Sequence, residues 1–260
     1  MKISYCLAII IILIIIMSIE LCRNSLTAGI DFIGVPNHCQ NIDDHRLMCQ
    51  VKKHTYIINK IDSIVSYPLR CGNYWESWMH NYFKKYSDLN KNCLDIGANI
   101  GTHTVICSEY FQHVYSFEPQ KDVFNILKQN IDVNHCNNVI PYNMGLSNEK
   151  TQFKMKCYDH QKSTNIGALN IVENNEEGCE TIQVVPLDLL EINNIALIKI
   201  DVEGHEYKAL LGGLNTIKLN RPIIIFEEHK SNSPVFKLIK SLHYEIRQIS
   251  LSNDYIAIPK

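Results

Sequence analysis

From Cys93 to the C-terminus, short apolar runs alternate with stretches whose apolar residues recur at helical spacing. The runs at 93–96, 114–117, 138–142, 195–200 and 222–226 read as buried strands, and helical stretches at 102–112, 120–133, 205–217 and 234–242 separate most of them. This alternation predicts a parallel sheet covered by helices on both faces. His243–Ile258 reads as two strands around Ser252-Asn253-Asp254, a hairpin at the sheet edge. The expected fold class is α/β, with a seven-stranded, mostly parallel sheet and an antiparallel edge hairpin. Residues 151–186 interrupt the alternation with two β-like stretches and a polar loop. Upstream, His54–Ser66 suggests one or two strands, and Trp75–Tyr86 carries Trp75, Trp78, Met79, Tyr82 and Phe83 at the spacing of an amphipathic helix.

The N-terminus has a different pattern. Ile3–Ile19 is apolar apart from Ser4, Tyr5 and Ser18, near the short end of what spans a bilayer, about 17 residues. A cleaved signal peptide and an uncleaved anchor both begin this way; the missing small-residue cleavage pattern after Glu20 favours the anchor. Lys2 against Glu20, Arg23 and Asp31 biases the N-terminus to the cytoplasm and the domain that follows to the extracytoplasmic side. Residues 23–53 are polar and aperiodic. The expected division is thus 1–22 anchor or signal peptide, 23–53 stem, 54–260 catalytic domain.

Composition adds two constraints. A net charge of −2, with no basic stripe, gives no support for a nucleic-acid partner. Ten cysteines include no CxxC pair, the spacing of zinc ribbons. Cys39, Cys49 and Cys71, and separately Cys157 and Cys179, form two groups that could pair in an oxidising lumen or remain reduced thiols. Nothing in the sequence sets an oligomeric state.

Three motifs lie at predicted strand ends. Leu94-Asp95-Ile96-Gly97-Ala98-Asn99-Ile100-Gly101 is a strand ending in an acid, a glycine-rich turn and a helix start. Gly97 and Gly101 let the backbone turn sharply against a ligand, and Asn99 is among the few other residues that tolerate a left-handed conformation. A dinucleotide site wants G-x-G-x-x-G, whereas these glycines are four apart with an acid two residues before the first. An acid suits a ligand carrying ammonium and sulfonium groups and no phosphate, as S-adenosylmethionine does. Ser116-Phe117-Glu118-Pro119 places a second acid at the next strand end, where such folds receive ribose hydroxyls. Pro119 suits the first turn of the helix that follows.

The third motif is Lys199-Ile200-Asp201-Val202-Glu203-Gly204-His205-Glu206, at a strand expected beside the first. Asp201 points to the cofactor crevice, Glu203 and His205 are candidate bases or acceptor ligands, and Glu203 or Glu206 could serve as a helix N-terminal acid. Strand alternation puts Glu227 and His229 on one side, opposite Glu228. Asp201, Glu227 and His229 could therefore converge, to orient a hydroxyl or to hold a divalent metal that spacing alone does not support.

Together with Trp75-Glu76, Asn165-Ile166-Gly167, Ile224-Ile225-Phe226-Glu227-Glu228-His229 and a final Asn253–Pro259, these motifs resemble the FkbM-type methyltransferases from about residue 70 onward. The resemblance implies a Rossmann-like class I methyltransferase using S-adenosylmethionine, and transfer to a hydroxyl of a sugar, glycan or small molecule. Asp95, Gly97, Ala98, Asn99, Gly101, Glu118, Pro119 and Asp201 are then the expected cofactor residues. Asp201, Glu203, His205, Glu227 and His229 are the expected catalytic ones, and residues 158–180 are placed to choose the acceptor. Competing readings are a protein or lipid acceptor, a non-catalytic membrane-tethered module, and a nicotinamide-dependent oxidoreductase, which the missing GxGxxG disfavours.

Overall fold

Residues 35–156, 171–172, 179–230, 232–249 and 252–260 are described by the structure, a computed structural model. His38–Lys260 forms one compact unit. The apolar segment Ile3–Ile19 and most of the polar insertion, with Asn165-Ile166-Gly167, lie outside the described residues. Among the described residues, no helix is long and apolar enough to cross a membrane.

The described chain opens with strands β1 (Cys39–Asn41), β2 (Arg46–Val51) and β3 (His54–Asn59), an antiparallel sheet. Residues 39–51, read from sequence as stem, are thus strands, and the expected boundary at residue 54 falls inside a hairpin. Their polar faces hid them, since a small sheet with one side in water lacks a continuous apolar run. Cys39 and Cys49, register partners across β1 and β2, are disulfide-bonded, while Cys71, Cys93, Cys107 and Cys136 are free.

Helices α1 (Ser66–Arg70) and α2 (Met79–Lys85) lead to the central sheet. The chain then alternates through β4 (Asn92–Ile96), α3 (Thr102–Cys107), β5 (Val114–Phe117), α4 (Lys121–Val133) and β6 (Val139–Tyr142). Strands β7 (Gly145–Leu146), β8 (Thr151–Lys156), β9 (Ile171–Val172) and β10 (Cys179–Val185) form a separate four-stranded sheet. The alternation resumes with β11 (Ile195–Ile200), α5 (Glu206–Leu211), α6 (Leu214–Asn220), β12 (Ile223–Glu227) and α7 (Pro234–Ser241), and ends in β13 (Tyr244–Gln248) and β14 (Asp254–Pro259).

The seven-stranded sheet has the order β13-β14-β12-β11-β4-β5-β6, with β14 antiparallel to both neighbours. The hairpin is at the edge, as expected, but its second strand inserts beside β12 and leaves β13 on the rim. Alternation along the strands divides the core. Leu94, Ile96, Ile198, Ile200, Ile224 and Phe226 pack on one face with residues of α5, α6 and α7. Cys93, Leu197 and Ile225 pack on the other with α2 and α3. The helix expected at 205–217 is two helices, broken at Gly212-Gly213, and glycine is required at 212 because a Cβ there would stand 1.9 Å from the Ser147 carbonyl oxygen.

Two asparagines one turn apart, Asn130 on α4 and Asn134 at its C-cap, fasten the N-terminal sheet to this framework. Asn130 accepts from the Ile57 N–H (2.6 Å) and donates to the Ile57 carbonyl (3.1 Å) and the Ile100 carbonyl (2.7 Å). Asn134 accepts from the Thr55 N–H (2.9 Å) and donates to the Thr55 carbonyl (2.6 Å). These side chains do for the edge of β3 what another strand would do. Asn130 is fully buried, so Asn130→Leu strands three buried backbone groups and should cost about 3 kcal/mol. Asn134, only part-buried, should cost about 1 kcal/mol as alanine. Urea unfolding of the two variants checks the order, and equal losses would refute it.

Candidate active site

Chain order reverses between β4 and β11, and a cavity of about 580 Å³ opens at the strand ends there, the position expected of ligands in open α/β sheets. Its volume falls within the roughly 300–1,000 Å³ of small-molecule sites.

The turn after β4 forms one part of the wall. Gly97 (φ 79°), Asn99 (φ 51°) and Gly101 (φ 88°) are all left-handed. Space as well as φ requires glycine at 97, since a Cβ would come within 1.8 Å of the Asp201 carbonyl oxygen. Gly97, Ala98, Asn99, Glu118 and Pro119 line the cavity. Gly101 does not; it packs against Leu127 and starts α3. Glu118 is buried and accepts from the Asn99 N–H (3.0 Å) and the Gln120 N–H (2.9 Å). Burial pushes its carboxyl up to about 7 against the pull of those two N–H groups. Gln120, buried beside it on the cavity wall, carries an Oε1 with no hydrogen-bond partner among the described residues.

Asp95, expected at the cofactor, does not line the cavity. It is 1% exposed, accepts from the Thr104 hydroxyl (2.5 Å), and lies 3.7 Å from the Lys199 ammonium. Asp95 and Lys199 are register partners across β4 and β11. Lys199 is also buried; its Nζ lies 3.2 Å from the Gly97 carbonyl and 3.4 Å from Asp201 Oδ2. Burial works against its charge, but Asp201, Asp95 and Glu76 outweigh it and hold the ammonium above the usual lysine range. The sequence reading passed over Lys199. The available signal was a lysine inside an apolar strand, which persists only when paired.

Beyond the turn, acids gather. Asp201 and Glu227 follow the register partners Ile200 and Phe226 and so stand side by side at the cavity, and Glu227 Oε1 lies 3.3 Å from His229 Nε2. His229 Nδ1 in turn lies 2.8 Å from the Asn253 amide nitrogen. Burial, with Asp201 next in weight, pushes Glu227 up to about 8. Glu203, also on the wall, sits in a left-handed turn (φ 51°) and is raised by burial and by Asp201. His205 lines the cavity apart from this group: its Nε2 bonds the Ser147 hydroxyl (3.0 Å), and its ring meets Phe153 edge-on (5.6 Å). Burial lowers it to about 4, so the ring is neutral at physiological pH. Glu206 is the helix-end acid, accepting from the Val202 (3.2 Å) and Gly204 (3.1 Å) N–H groups. Among the described residues, no group of three or more His, Cys, Asp or Glu is arranged to hold a metal ion.

Glu76 and His103 were also missed as wall residues. Glu76 is left-handed (φ 44°) and accepts from His103 Nε2 at 3.0 Å. Only its place next to Trp75, ahead of the core, hinted at it.

The sheet order, the glycine turn between β4 and α3, and the acids at successive strand ends together make a Rossmann-like α/β site. The FkbM methyltransferase domain matches residues 95–257, and the chain belongs to that family. It is 32% identical over 170 residues to the hexuronic acid methyltransferase AglP of Haloferax volcanii, covering 62% of this chain and 67% of that protein. It is also similar to the methyltransferase FkbM structure from Methylobacillus flagellatus KT, with a TM-score of 0.46 and 17% identity, covering 75% of this chain. The chain spans only 55% of that structure's length. Similarity extends to M. jannaschii TYW2 in complex with AdoMet, with a TM-score of 0.41, 12% identity, and 84% and 85% of the two chains covered.

The residues present fit S-adenosylmethionine: a glycine turn with room for a closely approaching ligand, a buried carboxylate, and an unpaired amide oxygen on the same wall. Removing the buried ammonium tests how that wall is held. Lys199→Met leaves Asp95 buried beside no cation and should cost about 3–5 kcal/mol, while adding Asp95→Asn should recover part of the loss. Denaturant melts of the single and double variants give the coupling. Additive losses would show that the pair does not hold the strand ends together.

Proposed function

We propose that this protein transfers a methyl group from S-adenosylmethionine to a hydroxyl of a sugar, glycan or other small hydroxylated acceptor. The observation that carries this reading is the meeting, in one cavity, of the glycine turn with Glu118 and the Asp201, Glu227 and His229 group. The sugar acid named for the Haloferax relative supports a carbohydrate acceptor.

The bound cofactor supplies an electrophilic methyl on a sulfonium, so the protein's work is alignment and proton removal. Gly97, Ala98 and Asn99 would hold the cofactor along the cavity wall, and Glu118, which keeps lone pairs free, would accept from its hydroxyls beside Pro119. Asp95 and Gly101 act indirectly, by shaping the turn. Glu227 takes the acceptor proton. His229 donates from Nε2 to Glu227 while its Nδ1 accepts from Asn253, which holds the carboxyl in place. Glu203 and neutral His205 contact the acceptor.

We further propose an extracytoplasmic catalytic domain tethered through Ile3–Ile19. The Cys39–Cys49 disulfide in the hairpin that follows supports an oxidising compartment. In natively expressed protein, Cys39 and Cys49 should resist alkylation until a reductant is added. Free labelling of both without reductant would refute that placement.

For the reaction itself, a screen of glycan and small hydroxylated acceptors with methyl-labelled cofactor gives the test. Glu227→Gln should lower kcat by about 100- to 10,000-fold, the range for loss of a general base, and still bind cofactor. Wild-type turnover in that variant would remove Glu227 from the chemistry.

A further inference from the structure

Carboxylates crowd one end of the cavity from four separate segments. Asp201 and Glu203 follow β11, Glu227 ends β12, Asp254 opens β14 as the register partner of Glu227, and Glu76 precedes α2. The basic groups facing them are few: His103 is paired with Glu76 at 3.0 Å. Lys199 is committed to Asp95, Asp201 and the Gly97 carbonyl, and His229 lies at 3.3 Å from Glu227. Asp201 and Glu227 directly follow the register partners Ile200 and Phe226, so the two acids stand side by side at neighbouring strand ends, and one proton held between them relieves their repulsion. Asp201 is also the residue whose carbonyl abuts Gly97 in the cofactor turn. The shared proton is therefore held next to where a cationic ligand would lie.

We propose that the Asp201–Glu227 pair is a proton switch keyed to the charge of the cofactor. The pair holds one proton when no cation is present, releases it when the sulfonium binds, and takes up the acceptor's proton as the methyl leaves. This rests on the methyltransferase reading above. The step balances: an acceptor O–C bond forms, the sulfonium S–C bond breaks with its electron pair left on sulfur, and the hydroxyl proton passes to the pair. Binding swaps one positive charge for another, and transfer moves a proton onto the pair as sulfur becomes neutral. The net charge of the site is the same at every stage. Because the product cofactor, S-adenosylhomocysteine, is a neutral thioether at sulfur, it leaves a pair that is already reprotonated and has no call on its charge.

Burial and the neighbouring Asp201, Asp254 and Glu203 push Glu227 up to about 8, which sets the window for the switch. Below that value the proton must be displaced before the sulfonium binds, so affinity for S-adenosylmethionine should rise with pH and level off above it. S-adenosylhomocysteine has the same amine and carboxylate and lacks only the sulfonium methyl, so it is the internal control.

Calorimetric titration of the full chain with each cofactor, in buffers of different ionisation enthalpy, provides the test without any acceptor. S-adenosylmethionine should release nearly one proton more than S-adenosylhomocysteine. Its Kd should fall, relative to that of the product, by up to about tenfold per pH unit between about pH 6 and about pH 8. In Glu227→Gln the two cofactors should follow the same pH profile. Equal proton release by both cofactors in the wild type overturns the proposal and leaves the methyltransferase reading standing. If neither cofactor binds, that reading falls as well. Should Glu227→Gln fail to fold, the wild-type comparison decides alone.

Discussion

The site depends on one buried cation. A lysine near the end of a central strand loses its hydration and persists only because acids and a carbonyl surround it. Lys199 reaches across from β11 to Asp95 on β4, to the Gly97 carbonyl in the cofactor turn, and to Asp201 beyond its own strand. These contacts fix the two strand ends where chain order reverses, and with them the gap in which a ligand can lie. Gly97 completes the arrangement by yielding the space of a side chain to the Asp201 carbonyl. The turn that would carry the cofactor and the acid that begins the catalytic cluster are thus held in one relation.

That arrangement also divides the cavity electrostatically. On the Glu118 side, two backbone N–H groups point at the carboxylate, so a buried acid is tolerated without a cation. Toward Asp201, Glu227 has the His229 ring at 3.3 Å in place of backbone donors. The other groups around Glu227 are carboxyls, and protonation relieves their repulsion. His205, desolvated and bonded to Ser147, contributes a neutral polar edge beside Phe153 in place of a charge. Three titratable groups of nearly equal promise in the sequence therefore differ in character because their burial and partners differ.

Much of this was legible beforehand, and the exceptions share a cause. Central strands buried on both faces read as apolar runs, so β4, β5, β11 and β12 were placed to within a residue. The left-handed geometry of Gly97 and Asn99 followed from their residue types. Local patterning could not show that Asp95 is held by Thr104 and Lys199 behind the cavity wall instead of on it. Lys199, Glu76 and His103 were overlooked for the same reason, since each gains its role from a partner far away in sequence. Gly212 looked like an interior helix residue until Ser147, from a different sheet, came against it.

The N-terminal sheet shows how far such long-range dependence extends. The region matched to the family begins at residue 95, yet β3 lies well upstream of it. Asn130 joins the two, with one side chain bonded both to Ile57 in β3 and to the Ile100 carbonyl inside the glycine turn. The turn is therefore supported from beneath by an amide whose other bonds are made to the upstream sheet. If β3 were absent, Asn130 would lose two of three partners in a fully buried position, and a buried amide left unpaired draws its remaining neighbours out of place. The physical unit that shapes the cofactor turn thus includes β3 and the small sheet to which it belongs, ahead of the first recognisable motif.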